Sequence, residues 1–122
     1  MKRSILFATI LVASFQAANA ADVSGSWHVT GSVSDNPIDT TCTLTQKDNA
    51  LTGTCVRKAD GKSVDATGSV KDQAIEWHYK SEYNGDPITV TYSGTLGKDG
   101  TISGTIVVDP YDAQGDFTAT KK

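Results

Sequence analysis

Two histidines, two cysteines and a set of loop carboxylates are the residues of this chain best suited to chemistry, and their spacing excludes most of it. His28 and His78 stand far apart, and neither lies at a helical or Cys-x-x-Cys spacing from Cys42 or Cys55. A Cys/His zinc centre therefore lacks ligands. Serines are plentiful, but no Gly-x-Ser-x-Gly nucleophile elbow occurs. Glu76 and His78 are two residues apart, a spacing that puts both on one face of a strand as solvated side chains. Asp109, Asp112 and Asp116 could attract a cation, but their spacing fits no EF-hand loop. The expectation is a protein with no catalytic set, no metal and no cofactor.

What remains is binding chemistry. Seven acidic residues (Asp35, Asp60, Glu82, Asp86, Asp109, Asp112 and Asp116) fall in or beside turn-forming stretches, together with Tyr83 and Tyr111. Exposed aromatics among polar loop residues are common recognition groups. A second candidate set, Trp77, Tyr79, Val90 and Tyr92, alternates with polar residues in strand-like segments. That alternation turns all four toward one interior, where they either line a small ligand or fill the core.

The chain start bears on where this happens. Lys2 and Arg3 precede the apolar run Ile5 to Val12, and Ala18-Asn19-Ala20 supplies a small-x-small cleavage pattern. This reads as a secretory signal over residues 1–20, too short in its apolar part to span a membrane. The mature chain, 21–122, then has the length of one domain and no membrane span. The leader holds two of the 11 basic residues and none of the 14 acidic ones, so nine basic residues face 14 acidic ones after cleavage. That net negative charge excludes nucleic acid and anionic lipid as partners. A secreted or periplasmic setting is oxidising, and Cys42 with Cys55 reads as one disulfide.

The elements that must position these groups are strands. The mature sequence is rich in Thr, Ser, Val, Ile and Gly, alternates apolar with polar, and is broken by turn signals about every dozen residues. Eight strands follow, at 23–33, 38–46, 51–57, 63–70, 75–82, 87–96, 102–108 and 116–121. Placing Leu44 opposite Gly53 sets Cys42 directly opposite Cys55. Placing Val70 opposite Ile75 sets Gly68 against Trp77 and Ala66 against Tyr79; placing Leu96 opposite Ile102 sets Tyr92 against Ile106. One inside/outside code serves all three hairpins. The segments Thr43-Leu44 to Thr54 and Thr95-Leu96 to Thr105 also resemble each other, as two hairpins built under the same rules. Eight short hairpin-linked strands with one apolar face predict an all-β, antiparallel, up-and-down barrel, since closure removes both sheet edges.

Gly25-Ser26-Trp27 at the head of the first strand and Phe117-Thr118-Ala119-Thr120-Lys121 in the last resemble the calycin superfamily, the lipocalin-like and avidin-like barrels. The resemblance implies that Trp27 plugs a closed end and that a basic residue of the last strand, here Lys121, packs across it. Lipocalins usually carry Arg at that place, and the avidin-like ending is nearer. Biotin binding does not carry over: Val29 stands where that family has a polar residue, and Trp77 is the one tryptophan beyond Trp27. Ser24 to Gly31 is also similar, more faintly, to the first strand of secreted bacterial metalloprotease inhibitors, whose inhibitory N-terminal segment has no counterpart in Ala21-Asp22.

Meander arithmetic puts the three Lys-Asp-x turns at the end where the barrel's chain enters and leaves. The loops near 34–37, 58–62, 83–86 and 109–116 then share the other end, the open mouth in calycins. The functional expectation is an exported, non-catalytic barrel that recognises a small ligand or a partner protein through that mouth. The alternative is an inhibitor of a protease or other hydrolase, acting through its loops or outer surface.

Overall fold

The structure, a computed structural model, describes residues 22–122. The leader read at 1–20 and its cleavage point before Ala21 lie outside the described residues. Eight antiparallel strands form one sheet: β1 Gly25–Val33, β2 Asn36–Lys47, β3 Ala50–Arg57, β4 Ser63–Lys71, β5 Ala74–Tyr83, β6 Asp86–Leu96, β7 Ile102–Asp109 and β8 Ala113–Lys121. Each pairs with the next, and β1 pairs with β8 from Trp27↔Lys121 to Val33↔Gly115, so the sheet closes into a barrel. The all-β, up-and-down architecture is thus as the periodicity predicts.

The registers follow side-chain parity. Leu44 pairs with Gly53 and Cys42 with Cys55, Gly68 with Trp77 and Ala66 with Tyr79, Tyr92 with Ile106 and Leu96 with Ile102. Cys42 and Cys55 form the disulfide across the β2–β3 ladder, with Cα atoms 4.0 Å apart. Two of the turns are two-residue connections in which both residues have positive φ, Ser34-Asp35 (47° and 68°) and Asn84-Gly85 (52° and 85°). That backbone twist matches the twist of the flanking strands, and Asn-Gly adopts it at least steric cost.

Most strand ends fall within two residues of the sequence reading, and one boundary differs by more. The last strand starts at Ala113, not at 116, and the preceding turn contracts to residues 110–112. Gly115 lies in the ladder opposite Val33, where a Cβ would collide with the carbonyl of Ser32. Its glycine serves close strand approach rather than a turn.

The barrel interior is filled. Trp77 stacks on Tyr92 with ring centroids 5.0 Å apart and planes 10° from parallel, and Phe117 meets both rings edge-on at 5.5 and 5.2 Å. Leu51, Val70, Ile75, Ile102 and Ile106 are fully buried around this stack. The small residues Gly68, Ala66 and Gly94, set opposite or beside large ones, leave room for it. Among the described residues, no helix is long and apolar enough to cross a membrane.

Candidate functional site

The two ends of the barrel are built differently. At the end where β1 begins, Val23 is fully buried and its carbonyl accepts a hydrogen bond from Trp27 Nε1 at 2.9 Å. Gln46 holds the same segment from both sides: its Oε1 accepts from Val23 N–H, and its own N–H donates to Ser24 Oγ, each at 2.9 Å. Lys121 Nζ lies 5.7 Å from the centre of the Trp27 ring, within cation–π range, and Lys122 N–H donates to the Ser26 carbonyl. Asp22 caps the segment by accepting from Ser24 N–H, a bond that holds its carboxyl below the usual range. This end is plugged.

At the opposite end the mouth is a cup. Val33, Ile88, Val108 and Ala113 form its floor and walls, Tyr83 and Tyr111 its rim, and Ser34 and Asn36 complete the side formed by the β1–β2 hairpin. Its volume is about 420 Å³, inside the range of small-molecule sites. Tyr83 and Tyr111 are each 48% exposed and meet edge-on with centroids 6.2 Å apart. Tyr111 donates its phenol hydrogen to Asp86 Oδ2 at 3.0 Å, and the carboxylate's demand for that hydrogen raises the Tyr111 pKa. Alternation explains the cup: Val33, Tyr83, Ile88 and Val108 share the inward parity of their strands and stand above the last fully buried layer.

The remaining rim carboxylates are dispersed. Asp35 and Asp112 sit at positive-φ turn positions, Asp109 ends β7 opposite Thr89, and Glu82 is exposed near the end of β5. Asp60 accepts from Lys62 N–H at 3.0 Å and from Arg57 Nη2 at 2.7 Å; the first of these, then Arg57, lowers its pKa. Asp116 stands on the outer wall of β8, paired between Ser32 and Thr105, because that strand begins earlier than the turn signals indicate. Among the described residues, no group of three His, Cys, Asp or Glu is placed to hold a metal ion. Both histidines lie on the outer wall, His28 against Asp39 Oδ1 at 2.9 Å and His78 beside Thr67.

The four interior candidates face one another rather than the mouth. Trp77 and Tyr92 have no exposed surface, and Tyr79 and Val90 are buried. Tyr79 and Tyr92 share a hydrogen bond of 2.7 Å between their phenols. Burial pushes both phenols above the usual tyrosine range, and for Tyr92 the neighbouring Tyr79 adds to the rise. Three aromatic side chains brought inward by β5, β6 and β8 occupy a barrel only eight strands round, which leaves them each other as partners.

Two residues between cup and core were not singled out from the sequence. Arg57 has the inward parity of Leu51 and Cys55, and it reaches over β4 to donate from Nη1 to Ser81 Oγ at 3.0 Å. Thr40, its direct partner across the β2–β3 ladder, is buried. Arg57 Nε and Thr40 Oγ1 are both shielded from solvent without a hydrogen-bond partner. Parity alone carried the signal for both. In comparison with known proteins, no family model matches this chain, and no curated protein or solved structure matches it. The class defined by the fold is a closed, disulfide-bonded, eight-stranded antiparallel barrel.

Proposed function

We propose that the mature chain is an exported, non-catalytic binding protein of calycin type, which takes an aromatic or aliphatic group of its ligand into the cup at the open end. The observation that carries this reading is the cup itself: apolar walls, two half-exposed tyrosines and a concave volume at one end, over a core packed solid beneath. A ligand reaches the cup and not the barrel axis, because Trp77, Tyr92 and Phe117 occupy the axis. The disulfide suits an oxidising compartment. Gly25-Ser26-Trp27 and the Lys121–Trp27 contact support the calycin assignment.

A neutral aromatic probe tests the reading without charge effects. Indole is titrated into the mature protein and its affinity measured by fluorescence or calorimetry. Tyr83→Ala combined with Tyr111→Ala is expected to weaken it about tenfold, since each aromatic contact contributes roughly 0.5–1.5 kcal/mol beyond area burial. Lys71→Ala, at the plugged end, should leave it unchanged. Equal affinity for wild type and the double tyrosine variant would remove the cup as the binding site.

A further inference from the structure

The barrel wall is not equally closed all round. Between β4 and β5 the ladder runs from Lys71↔Ala74 as far as Ala66↔Tyr79 and stops. Beyond that point Ser63–Asp65 pair only with β3, and Lys80–Tyr83 pair only with β6. Two strand edges, roughly 10 and 14 Å long at about 3.4 Å per residue, therefore border a seam with no ladder across it. The seam holds an open groove of about 510 Å³, lined by Lys62, Val64, Lys80, Ser81 and Glu82 with Arg57 at its inner side.

The groove is cationic on a chain whose net charge is −3. Its lining carries three basic side chains, Arg57, Lys62 and Lys80, against Glu82, and Asp60 pairs with Arg57 from the adjoining loop, so Lys62 and Lys80 supply the surplus positive charge. Arg57 is also incompletely used. Asp60 meets Nη2 alone and divides itself with the Lys62 N–H, while Nε is buried without a partner. A carboxylate lying side-on to a guanidinium takes two parallel N–H groups at once. Such a group, entering from the seam as the Arg57 side chain turns its buried Nε edge toward the groove, would satisfy Nε and Nη2 together.

We propose that this seam docks an extended peptide segment of a partner protein. The segment's backbone pairs with the β5 edge over Lys80–Glu82, and an acidic side chain of the segment displaces Asp60 from Arg57. Unpaired strand edges are templates for an added strand, with main-chain bonds giving affinity and side-chain pockets giving specificity. Here the specificity is for a carboxylate, set by Arg57 and reinforced by Lys62 and Lys80. This site is separate from the cup, and either can fail alone.

The test uses the full mature protein and the probe peptide acetyl-Thr-Val-Glu-Val-Thr-amide, with Gln or Lys replacing the central Glu as controls. The Glu peptide is expected to bind about tenfold tighter than the Gln peptide, as a charge-assisted bidentate contact replaces a neutral one. It should slow amide hydrogen exchange within residues 63–65 and 80–82. Arg57→Lys keeps the charge and removes the fork, and should erase the Glu preference. Asp60→Asn, which removes the competing carboxylate, should tighten the Glu peptide. Should Arg57→Lys fail to fold, Lys62→Gln with Lys80→Gln, both at exposed positions, must still weaken the Glu peptide and reduce its salt dependence. Equal binding of the Glu and Gln peptides, or exchange protection confined to other strands, overturns the proposal. Indole binding measured on the same samples separates the two readings: peptide lost with indole retained rejects the seam alone, and indole lost with peptide retained rejects the cup alone.

Discussion

The plugged end and the open end of this barrel obey opposite rules. At the plugged end the polar groups of Val23, Trp27 and Gln46 find partners, and the indole of Trp27 is covered by Lys121. At the open end two tyrosines stand half in solvent and two strand edges lack a ladder, while the buried polar atoms without partners are Arg57 Nε and Thr40 Oγ1 below the mouth and Trp77 Nε1 in the core. Unpaired buried polar groups and bare edges cost stability. A small domain tolerates them where they serve recognition and where the rest of the structure holds firm. Residues that hold the fold together thus concentrate at one end, and exposed or unpaired groups gather toward the other.

Mutation can break that comparison, beginning at Trp27. Trp27→Ala is expected to lose about 3–5 kcal/mol, the usual cost of deleting a buried tryptophan. Tyr83→Ala should lose less than about 1 kcal/mol, as for exposed positions in general. Urea unfolding measures both, and comparable losses would erase the distinction between the ends. Removing the disulfide by Cys42→Ala with Cys55→Ala should lower stability by about 3 kcal/mol, the loop-closure value for a loop of this size. Thiol labelling of the unfolded, unreduced protein should find no free cysteine.

Alkaline pH separates the core tyrosines from the rim by a different route. Burial is the main cause that raises the phenols of Tyr79 and Tyr92 above the ordinary tyrosine range. Ionisation is therefore harder in the folded state than in the unfolded one. Their contribution is complete below the ordinary tyrosine pKa and is lost as pH climbs above it. Unfolding should accelerate and absorbance near 295 nm should rise in step with loss of the near-ultraviolet dichroism of Trp77. Tyr79→Phe, which breaks the phenol pair, should lower stability by on the order of 1 kcal/mol. Asp86→Asn is the mildest change: it removes the carboxylate that accepts from Tyr111, so the Tyr111 pKa should fall toward its ordinary value with stability nearly unaltered.

Much of the scaffold was legible in the sequence because strand parity is strict. The cross-strand partners of Cys42, Trp77 and Tyr92 follow from a two-residue period and tight turns alone. Val23 shares the parity of Trp27 and Val29, yet its burial depends on the segment before β1 folding across the barrel end, a tertiary event. Gln114-Gly115 reads as loop because glycine marks turns more often than close strand contacts. Arg57 and Thr40 escaped notice because charged and hydroxyl side chains are usually outside, although alternation turns both inward. The seam was not legible at all. It arises from the stagger of strand ends around a tilted barrel, which no single hairpin encodes.

The claim that recognition belongs to the open end is tested most directly by methyl nuclear magnetic resonance of the barrel domain, residues 22–122, titrated with indole. The expected result is a set of saturable shifts at the methyls of Val33, Ile88, Val108 and Ala113, with Val23 and Leu51 unmoved. Shifts centred on Val23 and Leu51, or on the outer-wall threonines, would contradict it.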